Sequence, residues 1–76
     1  MMEHYKNIHG DSDVHAYELA DDAITVQFSD GGTYVYTYAS AGREAVEAMK
    51  KRAVRGEGLA TYINTHVRES YARKLA

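Results

Sequence analysis

The sequence predicts an α+β domain in which a three-stranded antiparallel β-meander precedes two α-helices packed on one face of the sheet, in the order βββαα. Three observations support this prediction. Apolar and polar residues alternate from Val14 to Tyr38, as in strands with one buried face. Short runs rich in Asp and Gly interrupt the alternation twice. From Arg43 onward the apolar residues recur at helical spacing.

The first interruption, Asp21-Asp22, sets the pairing of the first two strands. As a two-residue turn it places Leu19 opposite Ile24 and Tyr17 opposite Val26. The opposite face, which includes Thr33 and Val35 of the third strand, is expected to be solvated. The face expected to be buried carries these members of the alternation: His15, Tyr17, Leu19, Ile24, Val26 and Phe28.

The second turn precedes three tyrosines on alternate residues. We expect Asp30-Gly31-Gly32 to form a three-residue loop, its last glycine left-handed, with Phe28 opposite Tyr34. A two-residue loop would turn the tyrosines to the other face, which the apolar pattern opposes. Tyr34, Tyr36 and Tyr38 are therefore expected to pack mainly in the core rather than to form an exposed base-stacking surface.

Two helices follow the strands. The segment from Arg43 to Arg55 contains neither Pro nor Gly and repeats Val46, Met49 and Ala53 on one side. Ser40 is a candidate N-cap, and a glycine of Gly56-Glu57-Gly58 is expected to end the helix. The second helix is predicted from a stripe at helical spacing: Leu59, Tyr62, Ile63, His66, Val67, Ser70, Tyr71 and Lys74.

Length and composition favour one small domain. We expect residues 13–76 to form it and the polar residues 1–12 to be a flexible arm. The chain has no Cys, which is compatible with a reducing compartment. No apolar run approaches the roughly 18 residues of a membrane span. We therefore expect a cytoplasmic protein without a membrane partner.

The net charge of −2 conceals an asymmetry between the two halves. The first 40 residues hold Lys6 against seven acids: Glu3, Asp11, Asp13, Glu18, Asp21, Asp22 and Asp30. The other residues hold eight bases against four acids: Glu44, Glu47, Glu57 and Glu69. This polarity could orient a polyanion on the basic side, or the two halves could compensate each other within the fold.

Several short motifs follow in an ordered set: Ser12, Tyr17, Ile24-Thr25-Val26-Gln27-Phe28, Gly32, Tyr34-Val35-Tyr36 and the stretch from Tyr62-Ile63-Asn64 to Val67-Arg68 and Tyr71. Residues 12–71 thereby resemble the KTSC domain, a small bacterial domain found alone or at the C-terminus of some lysyl-tRNA synthetases. The Val-Pro that usually follows Tyr-x-Tyr is replaced by Ala39-Ser40-Ala41-Gly42, and the small Ser before the second helix is absent. The resemblance implies no established activity, and it suggests RNA binding.

The candidate nucleic-acid-binding residues are Lys50, Lys51, Arg52, Arg55, Arg68 and Asn64. Basic side chains contact phosphates independently of sequence, although a run of charge is more often a solvated helix face. Asn64 lies four residues before Arg68 and could bind a ligand with it, or tie the helix to a backbone carbonyl. The residues expected to serve the core and the family motif are Tyr34, Tyr36, Tyr62 and Tyr71.

No catalytic or cofactor motif accompanies these residues. His4, His9 and His15, with Asp11 and Asp13, match no closed zinc pattern. Ser12 beside His9 and Asp11 does not make a triad, because a triad is defined by geometry in the fold. We therefore expect no enzyme activity, no metal and no cofactor.

The leading hypothesis is a small KTSC-like binding module that associates with RNA, tRNA or the translation apparatus through a basic helical face. The alternative is a protein-interaction module, either a homodimer formed through a sheet edge or a phage-encoded inhibitor of a larger enzyme complex. A third class, a small-ligand site, would need a pocket lined by Tyr36, Tyr62 and Asn64.

Overall fold

The computed structural model describes residues 2–10 and 12–76 and shows an α+β domain built on one antiparallel sheet. The sheet has five strands in the order β1-β2-β3-β4-β5, so the predicted number of three was wrong. The elements, in chain order, are β1 (Glu3–His4), β2 (Val14–Ala20), β3 (Ala23–Phe28), β4 (Thr33–Thr37), α1 (Tyr38–Ala41), α2 (Arg43–Arg55), α3 (Leu59–Tyr62), which continues into a π-helical turn (Ile63–Val67), and β5 (Arg73–Lys74).

The pairing of β2 with β3 follows the prediction, with Leu19 opposite Ile24 and Tyr17 opposite Val26. A β-bulge interrupts this ladder between Val14 and Ala16. The bulge changes which residues face the core, because one extra residue reverses the alternation. Val14 is consequently buried and His15 exposed, so the expectation that His15 shares the core face was wrong. Leu19 stays on the expected strand but is 43% exposed near its end.

The pairing of β3 with β4 is displaced by two residues from the prediction. Ile24 lies opposite Tyr36 and Val26 opposite Tyr34, and the Phe28 amide donates to the Gly32 carbonyl. The loop therefore comprises residues 29–31, and Gly31 rather than Gly32 has the positive φ of 93°. A two-residue displacement preserves the alternation, so the tyrosines still lie on the core side.

The expected N-terminal arm contributes to both layers. Glu3 and His4 pair with β2, and the next residue, Tyr5, is 1% exposed within the core. The Ile8 amide donates to the Gly56 carbonyl at 2.9 Å, which joins this segment to the end of α2. Met1 and Asp11 lie outside the described residues.

Helix α2 begins and ends where the sequence predicts. Its Val46, Met49 and Ala53 are fully buried, and Gly56 ends it in the left-handed conformation, with φ 81°. The N-cap position is Gly42, so the expectation that Ser40 caps this helix was wrong. Ser40 instead lies in α1, where it exchanges side-chain and backbone hydrogen bonds with Thr37 in a capping box.

The C-terminal stripe is helical only as far as Val67. The Ser70 amide donates to the Val67 carbonyl in a turn, and Arg73–Lys74 then forms strand β5 beside β4. The predicted helical positions of Ser70, Tyr71 and Lys74 were therefore wrong. The outer edge of β4 carries backbone groups that need partners, and the C-terminal segment supplies them: the amides of Ala72 and Leu75 donate to the carbonyls of Val35 and Thr33.

The core lies between the sheet and α2–α3. Its members are Tyr5, Val14, Tyr17, Ile24, Val26, Tyr36, Val46, Met49, Ala53, Leu59, Ile63 and Val67. The opposite sheet face is less solvated than expected, since Thr33 and Val35 are 8% and 6% exposed. Every helix in the described part of the chain is too short or too polar to cross a membrane.

Candidate functional site

A groove of about 340 Å³ lies where β4 meets the π-helical turn and the segment that leads to β5. We call it the tyrosine groove and define it by its lining residues: Asp13, Phe28, Asp30, Tyr34, Tyr36, Ile63, Asn64, Arg68, Glu69 and Tyr71. It gathers seven positions from the motifs on which the family resemblance was based, namely Phe28, Tyr34, Tyr36, Ile63, Asn64, Arg68 and Tyr71.

Aromatic rings form the wall of the tyrosine groove. The Tyr71 ring lies 4.9 Å from the Tyr34 ring and 6.3 Å from the Tyr36 ring, between centroids. Phe28 meets Tyr34 edge-on at 5.9 Å. Tyr36 and Ile63 are 1% and 3% exposed and form the floor. Tyr71 reaches this position because the chain leaves the helix after Val67 and returns along β4.

The Tyr36 hydroxyl belongs to the buried floor of the tyrosine groove. Burial raises the pKa of Tyr36 to about 12, and the neighbouring Tyr34 and Tyr71 act in the same direction. None of the described residues hydrogen-bonds this hydroxyl, yet no buried polar atom among them lacks a partner. The hydroxyl therefore keeps some contact with solvent, and we place that contact at the groove that Tyr36 lines. A neutral phenol is the form present at physiological pH.

The rim of the tyrosine groove carries more acids than bases. Among the described residues, Asp13, Asp30 and Glu69 line the groove together with one guanidinium, that of Arg68, and all four side chains are exposed. Asp30 also accepts a hydrogen bond from the Gly32 amide at 2.9 Å. Three carboxylates beside one cation oppose the approach of a phosphate. Arg68 and Asn64 both line the groove, but in surroundings that disfavour nucleic-acid backbone.

Asn64 stands between the tyrosine groove and a second hollow of about 430 Å³, which Ser12, Asp13 and Thr61 also line. Its side chain is exposed, and it makes no hydrogen bond with any described residue. The alternative was a hydrogen bond from the Asn64 side chain to a backbone carbonyl, and no such bond occurs among the described residues. Its amide is available to a ligand from either hollow.

Three basic residues of α2 lie on its outer surface, whereas Arg52 lies over the Tyr62 ring. We call the outer surface formed by Lys50, Lys51, Val54 and Arg55 the α2 face. Val54 is 52% exposed at its centre. Lys51 and Arg55 are exposed as well, and Lys51 has no ion pair with any described residue.

The other cations of the predicted cluster make contacts within the domain. The Lys50 Nζ donates to the Asp21 carbonyl at 2.9 Å and lies 3.0 Å from a Glu47 oxygen. Arg55 pairs with Glu57 at 2.8 Å. The Arg52 guanidinium lies 4.5 Å from the centre of the Tyr62 ring. Of the predicted residues, Lys50, Lys51 and Arg55 therefore share the α2 face, whereas Arg52 lies over Tyr62 and both Arg68 and Asn64 line the tyrosine groove.

Tyr62 lies apart from the tyrosine groove. Its ring stacks on His66 at 4.2 Å with an interplanar angle of 8°, and the Arg52 guanidinium lies over the same ring. A small-ligand pocket was expected to need Tyr36, Tyr62 and Asn64. The groove contains Tyr36 and Asn64, and Tyr34 and Tyr71 supply the aromatic wall in place of Tyr62.

The sequence did not predict that Asp13, Asp30 and Glu69 share one groove. Asp13 reaches the rim because its carbonyl accepts the Ser29 amide at 2.7 Å, which fixes the start of β2 beside the β3–β4 loop. Asp30 belongs to that loop. Its place just before the strand of tyrosines was a usable signal. The position of Glu69 in the groove depends on the end of the helix after Val67, which was not predicted.

The N-terminal histidines have partners other than a metal site. His9 lies 2.8 Å from a Glu57 oxygen, and His4 packs edge-on against His15 at 5.4 Å between ring centroids. No group of three or more metal-ligating side chains occurs among residues 2–10 and 12–76. Asp11, which entered the metal hypothesis, lies outside that range.

No family model, no curated protein and no solved structure matches this chain. The resemblance to the KTSC domain therefore stays a prediction.

Proposed function

We propose that this chain is a small non-enzymatic binding module that associates with RNA through the α2 face. The observation that supports this most is the exposed Lys51, which has no acidic partner among the described residues and lies beside exposed Arg55. Cations placed in this way on a helix can contact successive phosphates without reading bases.

The surroundings of Lys51 favour a backbone contact over a solvated face alone. Val54 lies beside the two cations and adds an apolar surface, on which the methylene stems of Lys51 and Arg55 can lie while their charged ends reach out. Lys50 borders the same surface, although its ammonium also binds Glu47 and the Asp21 carbonyl. We therefore assign phosphate contact mainly to Lys51, and also to Arg55, whose exposed guanidinium pairs with Glu57 as well.

The resemblance to the KTSC domain suggests tRNA as the first RNA to test. We would titrate the labelled protein with tRNA and with a single-stranded RNA, measuring fluorescence anisotropy at several salt concentrations. Binding should weaken as salt rises, because each phosphate contact releases counterions. No binding of either RNA at low salt would contradict the proposal.

A charge-matched pair of variants locates the site. The double variant Lys51→Gln/Arg55→Gln should reduce the slope of log affinity against log salt by about 1.4 for a single strand, since two phosphate contacts are lost. Arg43→Gln/Arg73→Gln removes the same charge from exposed positions outside the α2 face. An equal reduction in this control would mean that only net charge matters.

Pairing with a second copy or another protein at the sheet edge is the second candidate. Leu19 favours it, because this residue is 43% exposed near the end of β2, beyond the two β2 residues that pair with β1. Light scattering tests the homodimer. A concentration-dependent dimer that Leu19→Lys dissociates would support it, whereas a monomer at high concentration would exclude it.

A further inference from the structure

The tyrosine groove combines aromatic walls with an acidic rim, and this combination suits a cation. Tyr34, Tyr36, Tyr71 and Phe28 supply ring surface, and the faces of such rings attract positive charge. Among the residues that the structure describes, the rim adds three carboxylates against one guanidinium, that of Arg68. An anionic ligand would be repelled there, whereas a cation is attracted by both the ring faces and the carboxylates.

A cation of the chain itself already uses this wall. The Nζ of Lys74 lies 5.6 Å from the centre of the Tyr34 ring. Lys74 belongs to β5 at the edge of the sheet and is not among the residues that line the groove. Even when Lys74 is counted with Arg68, the three carboxylates of the rim outnumber the nearby cations.

We propose that the tyrosine groove binds an arginine side chain presented by a protein partner. A guanidinium is planar, so it can stack on Tyr34 or Tyr71 while its in-plane N–H groups donate to Asp13 and Asp30. The Asn64 side-chain carbonyl, which no described residue engages, offers a further acceptor. This site is separate from the α2 face, so it does not depend on RNA binding there.

The volume of the groove is consistent with this occupant. A space of about 340 Å³ lies near the lower end of ligand-sized clefts and can hold one long side chain with part of its backbone. The rim residues are exposed, so a side chain can enter without rearrangement of the sheet. The partner is thus expected to present a single exposed arginine rather than a broad flat surface.

The probe is the tripeptide acetyl-Gly-Arg-Gly-amide, titrated into ¹⁵N-labelled protein and followed by NMR. We expect saturable shifts at the Asn64 side-chain amide and at the backbone amides of Tyr34 and Tyr71. The same peptide with citrulline in place of arginine keeps the shape but loses the charge, and it should not bind. Equal binding of the citrulline peptide would overturn the proposal.

Two double variants with the same change in charge test the role of the rim. Asp13→Asn/Asp30→Asn should bind the arginine peptide about fivefold more weakly, a loss typical of two exposed charge contacts. Asn at position 30 can still accept the Gly32 amide, so the loop is retained. Asp21→Asn/Asp22→Asn lies outside the groove and should bind like the unmodified chain. Equal weakening in both variants would overturn the proposal.

Arg68→Gln should change the affinity for the arginine peptide in the opposite direction. Removing the cation of the rim should strengthen binding of the arginine peptide about twofold. If Arg68 instead held an anion, a titration with adenosine monophosphate would shift the amides of the groove. Arg68→Gln would then abolish the shifts caused by adenosine monophosphate. That result would overturn the proposal.

Discussion

The hydroxyl of Tyr5 accepts a hydrogen bond from the backbone amide of Leu59, with 3.3 Å between oxygen and nitrogen. This bond joins the strand-forming N-terminal segment to the first residue of α3, inside the core. Tyr5→Phe keeps the ring but leaves the buried amide without this acceptor. We expect a loss of about 1–2 kcal/mol in the free energy of unfolding, measured by urea denaturation.

Tyr17→Phe is the matched control for Tyr5→Phe. Tyr17 is 9% exposed in the same core, and none of the described residues hydrogen-bonds its hydroxyl. Its stability should stay within about 0.5 kcal/mol of the unmodified chain. Similar losses in the two variants would show that the Tyr5–Leu59 bond contributes nothing of its own.

Gly56 and Gly58 have the same φ of 81° but different surroundings. A Cβ at Gly56 would lie 2.5 Å from the Lys6 Cβ, whereas one at Gly58 would come no closer than 3.9 Å to Arg52. Gly58→Ala should lower the free energy of unfolding by about 1 kcal/mol, because alanine is disfavoured in a left-handed backbone. Gly56→Ala should lower it further, because the N-terminal segment must also move away from the new Cβ.

Hydrogen exchange separates these two glycine effects. The Ile8 amide donates to the Gly56 carbonyl, so its protection reports whether the N-terminal segment stays in contact with α2. Gly56→Ala should lower that protection, and Gly58→Ala should leave it close to the original value. Equal protection in both variants would contradict the close approach of Lys6 to Gly56.

Tyr36 should titrate later than an ordinary tyrosine. Burial raises its pKa from 10.0 to about 12, so the folded chain retains a proton that the unfolded chain releases. The stability associated with this group is complete below pH 10 and is lost as the pH rises from 10 to 12. Ultraviolet absorbance of tyrosinate should show one fewer late-titrating group in Tyr36→Phe. An unchanged titration would contradict the buried position.

Glu57 should titrate at lower pH than an ordinary glutamate. Its hydrogen bond with His9, followed by that with Arg55, lowers the pKa of the carboxyl. The stability from this group is present above pH 4.5, its ordinary value, and is lost as the pH falls through the lowered pKa. His9→Gln should move the Glu57 pKa upward in an NMR titration. His4→Gln, which alters the contact with His15, should leave it unchanged.

Local rules predicted the parts of the fold that local residues control. The β2–β3 register follows from the short Asp21-Asp22 turn, and the bounds of α2 follow from its apolar spacing and Gly56. The β3–β4 register was wrong because loops of residues 29–31 and 30–32 both keep the tyrosines on the core side. The apolar pattern cannot distinguish registers that differ by two residues.

The remaining differences come from contacts between distant parts of the chain. Tyr5 is buried because its ring packs in the core and its hydroxyl accepts the Leu59 amide, and nothing in its neighbouring sequence signals these contacts. Tyr71 fits a helical stripe, but pairing of the C-terminal segment with β4 outweighs that preference. The tyrosine groove depends on this return of the chain, so only some of its residues could be predicted.

The most direct test of the proposed function is a map of the RNA contact on the unmodified protein. An NMR titration of ¹⁵N-labelled protein with single-stranded RNA at low salt should shift the amides of Lys51, Val54 and Arg55 most strongly. Asn64 and Tyr71 in the tyrosine groove should change little, because the acidic rim repels phosphate. Strong shifts in the groove with an unchanged α2 face, or no shifts at all, would contradict the account.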